Sequence, residues 1–223
     1  MIKKIIIALV IVAVIGGGIL LYALSGEYES KLEKSDIETG VVIDSTGIEV
    51  PSLSLIQGLY QVTSGEAVQA ELLFNADGMK TAKGAFEKFS VDFDIATDYH
   101  QSTLTVSIES ASLNTGNGMR DEHLAEADFF DVEKYPTIAF LSTSIEDGDT
   151  SHVAKGDLTL LSNTKPIDVP FKHLGNGTNK AGQAFEAFEG RFVFDRIEYG
   201  MEEISGAGNV VTVNFYCELM LSE

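Results

Sequence analysis

Arg120, Asp121 and His123 are the residues of this chain whose types and spacing are best suited to chemistry. An arginine, a carboxylate and an imidazole this close together can orient a polar head group through hydrogen bonds. They could equally serve an enzyme that acts on an amphipathic substrate. A structural interpretation also stays open, in which Asp121 caps a short helix while the other two side chains tie that helix to neighbouring loops.

Other reactive groups are scattered along the chain. His100, His123, His152 and His173 are widely spaced, and no His-x-His or Cys-x-x-Cys pair occurs, so the sequence predicts no metal site. Cys217 is the one cysteine, which excludes an intramolecular disulfide. No Gly-x-Ser-x-Gly, phosphate-loop or dinucleotide motif is present. We therefore expect neither catalysis nor a resident cofactor.

The three polar residues lie within residues 115–146, a segment that indicates a corner between two strands. Residues 115–118, Thr-Gly-Asn-Gly, end an alternating strand, and residues 120–127 favour about two helical turns. Pro136 pushes the residue before it out of the helical region, and a strand resumes over residues 138–145. The sequence therefore predicts a short helix between two strands.

The dominant period after residue 58 is two, with apolar and polar residues in alternation. Each strand therefore has one dry face and one wet face, as antiparallel sheets allow. Connections such as residues 75–78 and 175–179 look like turns, which favours a meander over βαβ units. We predict an all-β fold, an antiparallel up-and-down barrel of about eight strands, because closure removes exposed sheet edges.

The dry rows predict what lines the inside of this barrel. They consist of phenylalanine and branched aliphatic residues with almost no polar residue between them. The expected lining is Ala70, Leu72, Phe74, Phe86, Phe89, Val91, Phe93, Leu104, Val106, Ile108, Phe140, Leu158, Phe171, Phe192, Phe194, Val213 and Phe215. From the residues alone, a structural or interaction module with a filled core and a barrel around one slim ligand both remain open.

The corner segment resembles the YceI-like family of bacterial proteins. The family pattern there is close to Arg-Asp-x-His-Leu, then Asp-Phe-Phe-Asp, then Tyr-Pro and a strand. This chain has these residues at 120–124, 128–131 and 135–136. Further similar segments are residues 58–74, 84–95, 155–171 and 196–200. The resemblance therefore covers the chain from about residue 58 to its end.

This resemblance implies an elongated, lipocalin-like barrel with a short helix at one end. It also implies that the apolar interior holds an isoprenoid or similar long-chain lipid lengthwise, such as a quinone-like molecule, for storage or transfer. The dry rows would then bind the chain of the ligand. Arg120, Asp121 and His123 would be candidates for polar contacts at the barrel mouth. The resemblance thus favours a cavity over a packed core.

Residues 1–25 predict a membrane anchor. Residues 5–24 are almost unbroken apolar sequence after two lysines, and about twenty residues at 1.5 Å rise span a hydrocarbon layer of roughly 30 Å. The lysines should stay in the cytoplasm, which places the remainder on the periplasmic face of the inner membrane. Cleavage of a signal peptide after Ser25 would release it instead. The length of the apolar run favours an uncleaved transmembrane helix.

Residues 26–57 are expected to form a tether with a possible extra strand, and residues 58–223 the barrel domain. If flexible, about thirty residues would hold the domain roughly 30 Å from the anchor. The net charge of −19 repels nucleic-acid phosphates, so we expect no nucleic-acid partner. No heptad or long apolar edge indicates an oligomer, and the oligomeric state stays open.

Overall fold

The computed structural model describes residues 27–39, 42–43, 49–50, 52–63, 70–76, 82–148 and 151–222. The transmembrane helix predicted over residues 1–25 lies outside these ranges, so that part of the prediction stays a prediction. Within the described ranges, no helix is long and apolar enough to cross a membrane.

Most of the described chain forms β-strands. Strands β1 to β14 span Ile37–Thr39, Val42–Ile43, Glu49–Val50, Gly58–Thr63, Ala70–Ala76, Ala82–Phe86, Phe89–Ile95, Thr103–Glu109, Leu113–Asn114, Thr137–Asp147, His152–Leu160, Asn163–Thr178, Ala184–Asp195 and Val210–Leu221. The helix α1 spans Gly118–Leu124, and 3-10 turns span Ser52–Leu55, Tyr99–Gln101, Ser110–Ser112 and Arg196–Tyr199. The predicted corner helix is thus present, a few residues earlier than expected.

Eight antiparallel positions close into a barrel. The short strands β4 and β5 follow one another along β14, and β7 and β6 follow one another along β4 and β5. In the same way β8 and β9 together fill the next position, beside β7 and β6. Strands β10 to β14 each pair with the next, and β14 returns to the first position. The predicted eight-stranded antiparallel barrel with one short helix is confirmed.

One predicted turn is wrong. Gly175 and Gly177 lie within β12, whose register against β13 shifts between His173 and Gly175. The turn falls after β12 instead, where the side chain of Asn179 accepts hydrogen bonds from the backbone N–H groups of Ala181 and Gln183, both at 3.0 Å. Glycine in a strand can mark a bulge as well as a turn, and the sequence pattern does not separate the two.

The two ends of the barrel differ. The helix end carries α1, the turn after β11, the connection between β13 and β14, and the connection between β5 and β6. The opposite end carries the turns after β7, β10 and β12. Leu53, Ile95 and Ile145 are at most 2% exposed and fill the interior towards the opposite end. These three side chains therefore close the interior at the end away from the helix.

Residues 27–39 form a strap on the outside of the barrel. The strap begins beside α1, where a Cβ added to Gly116 would lie 2.5 Å from the carbonyl oxygen of Glu27. Farther along, the backbone N–H and the hydroxyl of Ser35 donate hydrogen bonds of 2.7 and 2.9 Å to the fully buried carboxylate of Glu218. Strand β1 then pairs with β12. These residues of the predicted tether therefore lie along the barrel wall, and β1 adds a short strand beside β12.

Two phenylalanine rings of the inner wall lie across glycines of the neighbouring strand. Phe74 pairs with Gly84, and Phe215 pairs with Gly190. A Cβ added at these glycines would lie 2.5 and 2.3 Å from the respective rings. Because the glycines have no side chain, the rings can lean along the wall rather than stand out into the interior.

Gly190→Ala should lower the free energy of unfolding by about 1–3 kcal/mol, the usual cost of forcing extra atoms into a packed site. The new methyl group would meet the ring of Phe215 and also the backbone oxygen of Pro170, at 2.4 Å. Urea denaturation measures the effect. The matched control is Gly118→Ala at the start of α1, where no atom lies within 4 Å and alanine favours the helix. Equal stability of the two variants would contradict this packing.

Candidate functional site

The barrel encloses an apolar cavity of about 620 Å³. This volume lies within the range of roughly 300–1,000 Å³ that is typical of small-molecule sites. The structure places the following predicted residues in its lining: Leu72, Phe74, Phe86, Phe89, Val91, Phe93, Leu104, Val106, Ile108, Phe140, Leu158, Phe171, Phe192, Phe194, Val213 and Phe215. Ala70 instead packs against the core without lining the cavity. That these residues bind a ligand stays a prediction.

The cavity is elongated along the barrel. On β14 its lining runs from Val211 to Leu219. Eight residue steps at about 3.3 Å give about 26 Å along the strand. A strand tilt of roughly 35–45° reduces this to about 20 Å along the barrel axis. The shape therefore suits a chain-like molecule better than a compact one.

Three phenylalanine rings form the floor of the cavity towards the opposite end. The ring centroid of Phe93 lies 5.8 Å from that of Phe171 and 5.6 Å from that of Phe188. All three side chains are buried, and beyond them Tyr60 and Ile95 belong to the packed core. The cavity is therefore blind at this end.

The mouth of the cavity lies at the helix end. Its rim, here called the mouth loop, is residues 201–208 between β13 and β14, and Glu202, Ser205 and Gly206 of this loop line the cavity while being exposed to solvent. Phe129 and Phe130 from the corner after α1 complete the rim. The sequence pattern does not indicate these residues, because the loop has no apolar period. The small residues Ser-Gly-Ala-Gly between two strands were the available signal.

Arg196 holds the mouth loop in place. Its guanidinium is buried and donates hydrogen bonds from Nε to the carbonyl oxygen of Gly208 at 2.8 Å and from Nη1 to that of Glu202 at 2.6 Å. Its charge also lies 5.6 Å from the ring centroid of Phe129. One arginine thus connects both ends of the loop to the corner after α1.

Arg120 and Asp121 do not line the cavity. Arg120 donates from Nε to the hydroxyl of Thr115 and from Nη2 to its carbonyl oxygen, both at 2.7 Å. Asp121 accepts from the N–H of Thr115 at 2.9 Å and from its hydroxyl. Thr115 is fully buried, so both side chains satisfy a buried backbone at the corner. The residue that caps α1 is Asn117, not Asp121.

His123 is the predicted mouth residue that the structure does bring to the cavity. Its Nε2 lies 3.1 Å from the carboxylate of Asp128, which also lines the cavity. Its ring meets the ring of Phe129 edge to face, with centroids 5.3 Å apart. Among the described residues, its buried Nδ1 has no hydrogen-bond partner. A histidine and a carboxylate therefore provide the polar contacts nearest the rim on the side of α1.

Two further histidines are buried at the opposite end. The Nε2 of His173 lies 2.7 Å from the carboxylate of Glu186, and the ring centroid of His152 lies 5.5 Å from that of Phe171. Burial lowers the pKa of His152, since the charged imidazolium loses its hydration. Across the described ranges, no group of three or more His, Cys, Asp or Glu side chains could hold a metal ion.

Both the sequence and the fold of this chain are similar to those of known proteins. The model of the YceI-like domain family matches residues 60–219. A UPF0312 protein of Vibrio cholerae serotype O1, strain M66-2, is 31% identical over 158 residues, which are 70% of this chain and 83% of that protein.

Two solved structures share the architecture. BcnA of Burkholderia cenocepacia has 23% sequence identity and a TM-score of 0.59, with 69% of this chain and 96% of that chain covered. A polyisoprenoid binding domain from Saccharophagus degradans, implicated in plant cell wall breakdown, has 12% identity and a TM-score of 0.54. The match covers 75% of this chain and all of that one. At these identities the likeness concerns the fold alone.

Asp121→Ala should lower the free energy of unfolding by about 1–3 kcal/mol, because it leaves the buried N–H of Thr115 without its acceptor. Glu122→Ala is the control, since Glu122 is the exposed neighbour on the same helix. Thermal and urea denaturation of both variants measure the difference. If Asp121→Ala were as stable as Glu122→Ala, the corner role of Asp121 would be wrong.

Cys217 should resist alkylation while the barrel is folded. This thiol lines the cavity, and burial raises its pKa to about 12. At pH 8 the folded thiol is then almost entirely protonated, whereas an unfolded chain has a thiol pKa of about 8.5 and reacts readily. Iodoacetamide labelling followed by mass spectrometry, with and without guanidinium chloride, tests this. Rapid labelling of the folded chain would contradict the buried position.

Proposed function

The chain belongs to the YceI-like domain family, and from this premise we propose that it binds an isoprenoid or similar long-chain lipid, lengthwise, in the barrel cavity. The observation that carries the proposal is an elongated apolar cavity of about 620 Å³ that is floored by phenylalanines and open at the helix end. Its role is then storage of the lipid or its transfer to a partner, with the chain of the lipid buried and its head group at the mouth.

The hydrophobic effect is sufficient for such binding. Burial of one isoprene unit contributes roughly 3–4 kcal/mol, at about 0.8 kcal/mol per carbon. A few units therefore offset an association cost of about 4–15 kcal/mol. Because the wall offers almost no hydrogen-bonding groups, affinity should increase with chain length and depend little on the head group. A quinone-like lipid with an isoprenoid tail meets the same requirement.

One of the two fold neighbours supports the same class of ligand. The domain from Saccharophagus degradans is described as polyisoprenoid binding, and this chain shares its fold. The ligand of this chain is proposed from its own cavity and its family together.

We place the barrel on the periplasmic face of the inner membrane as part of the proposal. The support is in the sequence, where residues 5–24 are apolar, about twenty residues long and preceded by lysine. Residues 1–25 then form an uncleaved anchor. Cleavage after Ser25 is the alternative, and it would leave the same barrel free in the periplasm.

Binding is favoured over the two rival functions for specific reasons. An enzyme at the mouth would need Arg120, Asp121 and His123 to converge on a substrate, but the first two are engaged with Thr115. A module with a filled core would need the dry rows to meet, but they surround a cavity. The described geometry thus supports a lipid carrier best.

The direct test is lipid analysis of the purified full chain. Organic extraction followed by mass spectrometry should show a co-purifying molecule with a long isoprenoid or similar apolar chain. Lipids extracted from the protein after expression in different bacterial hosts should differ in their head groups, but all should have a long isoprenoid or similar apolar chain. A barrel that carries no apolar compound from any host would overturn the proposal.

Val106→Trp should reduce the co-purified lipid by about tenfold or more, since displacing even two buried CH₂ groups forfeits about 1.4 kcal/mol or more. Val106 lines the cavity on β8. The matched control is Ser107→Trp, because the next residue along the strand is exposed on the outer face. The measurement is lipid per mole of protein, with denaturation curves to show that both variants are folded. Equal lipid content in the two variants would argue against binding in the cavity.

A further inference from the structure

We propose that the strap, residues 27–39, holds the cavity mouth against the lipid bilayer, so that a lipid passes directly between the membrane and the barrel. This inference rests on the membrane anchor and the lipid ligand of the proposed function. It adds the orientation of the barrel relative to the membrane. The surface that meets the bilayer is the helix end, made of the mouth loop and the corner that contains α1.

The strap is fixed to the barrel along its length. Lys31 pairs with Glu87 at 2.7 Å, and Ser35 binds Glu218, which lies in β14. Lys34 lies 4.0 Å from the ring centroid of Tyr216. These contacts lie on β14 and on the connection between β6 and β7, and β1 adds the pairing with β12. Glu218 is completely buried beneath the strap. The strap therefore has little freedom to swing away from the wall.

The strap begins at the helix end of the barrel. The carbonyl of Glu27 lies against Gly116, two residues before α1. Gly116 lies near the start of α1, and His123, which lines the cavity, lies near its end. The seven residues of α1 measure about 10 Å, so this is about the distance between the start of the strap and the cavity lining. The first described residue of the chain thus lies close to the cavity mouth and far from the phenylalanine floor.

The reach of the chain before the strap is short. The apolar run ends at Leu24, three residues before Glu27. Three residues span at most about 11 Å even when fully extended. The barrel itself is longer, since the twelve residues of β14 extend about 30 Å along the axis once tilt is included. An anchor ending at Leu24 can therefore hold the helix end at the membrane, whereas the opposite end lies out of its reach.

The charge of the helix end determines how it meets lipid. Glu202 and Glu203 of the mouth loop are exposed, next to the half-buried Ile204. Carboxylates are repelled by anionic head groups, so this surface would not bind such a membrane on its own. A short tether makes up for this lack of affinity, because it keeps the helix end near the membrane at an effective concentration in the millimolar range. We therefore expect contact with zwitterionic lipid that depends on the tether.

The opposite end offers a competing apolar surface. Leu55, Leu59 and Leu221 are exposed there, at 53%, 36% and 55%. An untethered barrel could place these leucines on a membrane. The strap and the short reach before it favour the helix end, and a bilayer contact through the three leucines is the outcome that would contradict the proposal.

Fluorescence quenching can compare the two ends, because the chain contains no tryptophan and a single introduced one reports its own position. We would reconstitute full chains carrying Ser205→Trp or Ala181→Trp into phosphatidylcholine vesicles with brominated acyl chains. Ser205 is exposed in the mouth loop, and Ala181 is exposed in the turn after β12 at the opposite end. Quenching of Ser205→Trp should exceed that of Ala181→Trp at least about twofold, given the reach of about 11 Å before the strap.

A second variant tests whether the short reach is the cause. Twenty Gly and Ser residues inserted before Glu27 add roughly 25 Å of flexible chain, which should remove most of the difference between the two tryptophans. Equal quenching at the two sites without the insertion, stronger quenching at Ala181→Trp, or a difference that survives the insertion would each overturn the proposal. Lipid extraction from the same variants reports ligand binding separately, so a failure of orientation is distinguished from a failure of the proposed function.

Discussion

The structure depends on the pairing of its last strand, β14, with β4 and β5, the two strands that fill the first position of the barrel. Strand β14 lies between β13 and the two strands β4 and β5, and its hydrogen bonds to them turn an open sheet into a closed barrel. Without this pairing, β4, β5 and β14 would be edges, and the apolar rows on their inner faces would be open to water. The cavity exists because the dry faces that line it belong to strands of one closed barrel and are turned towards a shared interior.

The sequence predicted the strands and their inward faces because period two is a local property. Leu104, Val106 and Ile108 could be assigned to the interior from three alternate positions. It could not decide between a packed core and a cavity, because that depends on where the rings point. The ring of Phe215 leans across Gly190 on the neighbouring strand. Because these two residues are far apart in the sequence, the sequence pattern does not reveal their contact.

The polar residues show the same limit. Arg120 and Asp121 are residue types that are common in binding sites. Here both form hydrogen bonds with the buried Thr115, which lies five or six residues earlier in the chain. The strap has the mixed polar composition of a flexible tether, yet Ser35 finds Glu218 at the far end of the sequence. In both cases the sequence shows the residue types and does not show the partners that they contact. Partners of this kind are set by the closed sheet and not by neighbouring residues.

Because the phenylalanine floor closes one end of the cavity, a long-chain molecule can enter and leave only through the mouth. A lipid that enters such a cavity tail first must leave it head first, because it has no room to turn around inside. Under the proposed function, a membrane or protein that receives the lipid would therefore meet its polar end before its tail. Recognition at transfer would then depend on the head group, even though the proposed binding in the cavity makes little use of it.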